Sequence, residues 1–76
     1  MSTAERDFSA YVDNVLKPVC SANVPERELI DWLNRQLDEW AIEAERPYAI
    51  AFAPMAIDAI ENILAAIERE PALRAA

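Results

Sequence analysis

Residues 25–47 read PERELIDWLNRQLDEWAIEAERP. At about 100° per residue, Leu29, Ile30, Leu33, Leu37, Trp40, Ala41 and Ala44 fall within an arc of about 120°, the width of an ordinary core-facing stripe. Trp32 lies about 60° outside that arc, and Ile42 points nearly opposite to it. Asn23 reads as a cap or turn residue, and Pro25 suits a first helical turn, where its missing N–H is no loss. Glu26 and Glu28 sit where the positive end of the helix dipole favours acids. Arg27–Asp31, Asp31–Arg35 and Arg35–Glu39 are spaced i,i+4 on the wet side. Pro47 stops the pattern, so the spacing predicts a helix over about 25–45.

Working outward, Phe8, Tyr11, Val12, Val15, Leu16 and Val19 recur at steps of three and four, one helical face. Ser2-Thr3-Ala4-Glu5 has the form of a capping box. Pro18 lies inside that pattern, so a helix over about 3–17 is expected to end or kink near Lys17. On the other side, Ala56, Ile57, Ile60, Ile63, Leu64 and Ile67 form a stripe that Ala59 and Ala66 widen to about 180°. That predicts a third helix over about 54–70, with Pro54 in its first turn. The join, Tyr48 to Ala53, alternates large and small residues. Alternation is a strand signal, yet no second strand exists to pair with, so 47–53 is read as a short helical or irregular piece. The tail, 71–76, is expected to fray. The expectation is one all-α domain over 1–76, a small three- to four-helix bundle with short connections.

The chain has 76 residues, no glycine, no histidine and one cysteine, with 14 acids against 7 bases. Without glycine there is no Gly-rich phosphate loop, no dinucleotide fingerprint and no nucleophile elbow. It also leaves the helices without their favoured left-handed cap. Without histidine there is no Ser-His-Asp or Cys-His catalysis. Apolar residues reach 54 %, enough for a modest core and too many for a disordered chain. A single cysteine, Cys20, cannot form an intrachain disulfide and fits a reducing compartment. The N-terminus carries no secretory h-region, and the longest uncharged stretch, residues 48–57, is half the length of a membrane span. A cytoplasmic protein is expected. The acidity disfavours direct nucleic-acid binding, which depends on Lys and Arg neutralising phosphates.

Five constellations remain. Glu28-x-x-Asp31 and Asp58-x-x-Glu61 place carboxylates one turn apart, and Mg²⁺ prefers such hard oxygen ligands. In that spacing alone they resemble the acid pairs of all-helical nucleotide pyrophosphohydrolases; both pairs lie on faces where charge is ordinarily solvated. Length, acidity and helicity also match the acyl carriers. Those need a serine within Asp-Ser-Leu, and Cys20-Ser21-Ala22 has neither neighbour. Cys20 has only Lys17 nearby to activate it and reads as a core residue. Residues 36–45 hold Asp38, Glu39, Glu43 and Glu45 with no base. Over 26–45 there are seven acids and two bases, so five of the seven net negative charges fall on one helix. Finally, Trp32 and Ile42 lie off the stripe of the second helix and Ala59 and Ala66, flanking Ile63, widen that of the third, an apolar surplus unless the 48–53 join covers it.

No catalytic, cofactor-binding or metal residues are therefore assigned. The expected function is a small acidic protein-binding module that occludes a basic, nucleic-acid-binding groove of a larger partner. Asp38, Glu39, Glu43 and Glu45 would supply the charge, with Trp32 and Ile42 as apolar anchors. In size and acidity the chain resembles the inhibitors that bacteriophages and mobile elements make against host defence, such as anti-CRISPR proteins; the likeness is compositional. The alternative is a homodimeric accessory subunit that packs Ala59, Ile63 and Ala66 against a symmetry mate. A more distant one is the magnesium-dependent helical hydrolase.

Overall fold

The computed structural model of the chain describes residues 3–69. It is an all-α protein of three helical rods, with no strand among the described residues. The first rod runs without a break through α1 (Thr3–Tyr11), a π-helical turn (Val12–Leu16) and α2 (Lys17–Ser21). The second is α3 (Glu26–Ala44) and the third is α4 (Ala53–Arg69). The Ser2 cap and the tail from 70 onward lie outside the described residues.

Pro18 does not end the first helix near Lys17. The backbone keeps helical angles at Tyr11, Leu16 and Lys17, and turns extended only at Ala22 (φ −68°, ψ 148°). The π turn is what accommodates the proline. A proline in a regular helix lacks an N–H, and its ring strikes the carbonyl four residues back, here that of Asn14. In the wider turn the Lys17 N–H donates to the Val12 carbonyl, five residues back, and the helix passes the proline without breaking. The same turn corrects the register. Apolar residues recur every four positions, at Phe8, Val12, Leu16 and Cys20, so in a regular α-helix the stripe would drift by about 40° per turn, or about 120° in all. One extra residue in a turn takes back about 100° of that. Leu16 ends up 2 % exposed, and Val19 and Cys20 pack half-buried against the same core. An exposed Asp13–Lys17 pair at 3.1 Å spans the π turn and adds little.

α3 starts one residue later than the spacing suggests. Pro25 is its N-cap, with its carbonyl accepting the Leu29 N–H at 3.1 Å. No side chain caps this end, so Asn23 is not the cap. Leu29 and Leu33 are buried on α3, and Ala53, Ala56, Ile60 and Ile67 on α4. The two helices pack as an antiparallel hairpin, and Leu16 of the first rod closes the cluster formed by Leu29, Leu33, Ile60 and Ile67. α3 ends in two tight backbone bonds, Glu45 N–H to the Ile42 carbonyl and Arg46 N–H to that of Glu43. No described residue has a positive φ, in keeping with a chain that has no glycine to favour one. The join is irregular: turns at 45–48 and 51–52 flank two residues of no regular structure, and Phe52 packs on Trp40.

Candidate functional site

Four of the six aromatic residues meet where the first rod crosses the C-terminal half of α3. The Tyr11 and Trp40 rings stand edge to face at 5.3 Å, and the Trp40 Nε1–H donates to Tyr11 Oη at 3.0 Å. Phe52 lies 5.1 Å from Trp40 and 5.8 Å from Tyr11, with Phe8 behind it at 6.3 Å. Such pairs add about 0.5–1.5 kcal/mol each beyond the area they bury. This cluster pins the first rod and the join to α3, and it fixes where the join's remaining side chains go.

Those side chains are left in water. Tyr48 is 96 % exposed and Ile50 44 %, and on α3 itself Ile42 is 60 % exposed. The join therefore covers Trp40, through Phe52, and leaves Ile42 open. Ile42 is surrounded at helical spacing by Asp38, Glu39, Glu45 and Arg46. Trp32 sits elsewhere: it is half-buried and packs against the core cluster.

The four acids of this end do not form one face. Asp38 and Glu45 lie on the outer side of α3 with Ile42, about 100–160° from Glu39 and Glu43. Glu39 and Glu43, one turn apart, instead line a concavity of about 180 Å³ with Gln36, Trp40 and Ile50. Glu43 is a structural residue. One carboxylate oxygen accepts the Ile50 N–H at 3.4 Å and the other lies 3.8 Å from Arg46 Nε. Among the described residues, Asp38, Glu39 and Glu45 enter no ion pair. Nor do the three i,i+4 pairs expected along α3 close in the structure. Their long exposed side chains gain little by giving up water and rotamer freedom. Among the described residues, the acidic end of α3 is thus largely uncompensated.

Glu43→Ala is expected to cost about 0.5–1.5 kcal/mol, the usual worth of such a bond, and to speed exchange of the Ile50 amide. Unaltered Ile50 exchange would show that the carboxylate does not hold the turn.

The other predicted residues are placed as follows. Ala59 and Ile63 pack half-buried against the core, and Ala66 is exposed. Glu28 and Asp31 are exposed and line a second open concavity, of about 510 Å³, with Asn34 and Arg35. Asp58 and Glu61 are exposed as well. Among the described residues no three acid or cysteine side chains converge as metal ligands. Ile50, Trp40 and Gln36 also line the concavity, yet periodicity alone does not single them out. Two signals point to them: Pro47 throws the next residues out of the helix, and Gln36, Glu39, Trp40 and Glu43 share one flank at i, i+3, i+4 and i+7.

No protein-family model, curated protein or solved structure matches this chain. No helix among the described residues is long and apolar enough to cross a membrane.

Proposed function

We propose that this protein is a small, non-catalytic, acidic binding module that docks on a basic surface of a larger protein and blocks it. One observation carries the reading. The acidic end of α3 presents Asp38, Glu39 and Glu45 without ion partners among the described residues, around an exposed Ile42, and the join that follows exposes Tyr48. Uncompensated charge of one sign steers a partner of the other sign and sets its orientation. The apolar side chains within that charge supply the contact area that holds it. A groove that ordinarily takes nucleic acid is the kind of basic surface this face would occlude, as inhibitors of host defence do. The reading carries with it a reducing, cytoplasmic setting, in keeping with a single cysteine.

Affinity capture from the native host, with wild type and Asp38→Lys/Glu39→Lys as paired baits, tests this. Both positions are exposed, so the variant is expected to fold normally by circular dichroism. Wild type should retain a protein with a basic surface that the variant loses. Equal capture by the two baits would sink the reading.

A further inference from the structure

We infer that the concavity between α3 and the join is a seat for one arginine side chain of the partner. This deepens the reading of the chain as an acidic binding module and rests on it. The size of the concavity sets the scale of the guest. At about 180 Å³ it lies below the roughly 300–1,000 Å³ of pockets that enclose whole small molecules, and it is open to the surface, as a site for a single long side chain must be. Its lining sets the chemistry. Glu39 and Glu43 bring two carboxylates to one side, Trp40 brings an indole, Ile50 an apolar wall and Gln36 an amide. An aromatic wall attracts a cation, and carboxylates beside it complete the complement of a positively charged planar group.

Arginine fits this lining better than lysine. The guanidinium stacks on aromatic rings, pairs with carboxylates through a fork of N–H donors, and sheds its water more readily than an ammonium. Glu43 is held in place by the Ile50 amide and by Arg46. Glu39, which has no ion partner among the described residues, is the residue whose charge the guest would neutralise.

The test is a titration of the ¹⁵N-labelled full chain with acetyl-arginine amide, acetyl-lysine amide and the uncharged isostere acetyl-citrulline amide. Saturable shifts are expected at the Trp40 indole N–H, the Ile50 N–H and the Gln36 amide. The citrulline compound should bind about tenfold more weakly, and Glu39→Gln should lower arginine affinity by about the same factor, because each change removes one charge-assisted contact. Equal responses to arginine and citrulline, equal responses to arginine and lysine, or shifts spread along all of α3 would each overturn the assignment. The outcome separates from that of the capture experiment. If arginine fails to bind while Asp38→Lys/Glu39→Lys still loses the partner, the concavity is misassigned and the binding module stands. If arginine binds at these three groups and the two baits capture alike, the seat exists and the proposed function falls.

Discussion

Leu33→Ala should bring the protein close to unfolding. Leu33 is 0 % exposed and belongs to the cluster that holds α3, α4 and Leu16 of the first rod together. Truncating a buried leucine costs about 2–5 kcal/mol, through lost transfer energy plus the cavity left behind. A chain of this length has only about 4–11 kcal/mol in total. The melting temperature is expected to fall by roughly 10–30 °C, since each kcal/mol moves a domain of this size by several degrees. Thermal unfolding followed by circular dichroism measures it. Ile42→Ala is the contrast: it removes similar bulk from a position 60 % exposed and should shift stability by no more than about 0.5 kcal/mol. Equal destabilisation by the two would mean that the core is not where the structure puts it.

Trp40→Ala should produce the second largest effect, and a different one. A large buried aromatic is worth about 3–5 kcal/mol on truncation to alanine, and Trp40 is half-buried, so the lower end applies. The loss would be uneven. Trp40 holds Tyr11 through a hydrogen bond and an edge-to-face contact, and it seats Phe52. Removing it unpins the first rod and the join, while Leu29, Leu33 and Ile60 keep α3 against α4. Amide exchange should therefore accelerate across residues 3–21 and 48–52 well before it does around Leu33 and Ile60, the pattern of a sub-global opening. A uniform loss of protection over all three rods would contradict the role given to the aromatic cluster.

Much of this fold is legible in the sequence, for physical reasons that differ by element. α3 and α4 announce themselves because their stripes keep the helical period over four or more turns, and Pro47 and Pro54 bracket the join between them. The course of the first rod is harder to read. Pro18 signals a break by its local chemistry, and only the four-residue repeat from Phe8 to Cys20 hints that the helix widens by one residue and continues. Had the stripe drifted as a regular helix dictates, Leu16 would have been carried away from the core it now closes. The join misleads in the opposite sense. Its large residues at 48, 50 and 52 follow a strand period, but without a partner strand their fates are set one by one: Phe52 is drawn to Trp40, and Tyr48 and Ile50 are exposed.

The candidate site divides along the same line. That the charge gathers on α3 is plain from the sequence, and so is Ile42's position away from the core. The division of the acids is a matter of three dimensions. Glu43 turns inward to the Ile50 amide and Arg46, Glu39 edges the concavity, and Asp38 and Glu45 stay outside. No pattern in residues 36–45 shows that one of the four serves the turn, because its hydrogen-bond partner lies beyond Pro47. Trp32 reads as an anchor because it lies off the stripe; the core extends far enough along that flank to take it in.

The salt dependence of binding to the captured partner tests the central claim most directly. Recognition through the exposed acids of α3 predicts an affinity that falls by about tenfold or more as ionic strength rises from about 0.05 to 0.2 M, because the Debye length shortens and exposed charge contacts are screened. It predicts a flatter dependence for Asp38→Asn, which removes one of those charges without reversing it. An affinity for wild type that does not change with salt would show that the acids of α3 do not carry the interaction.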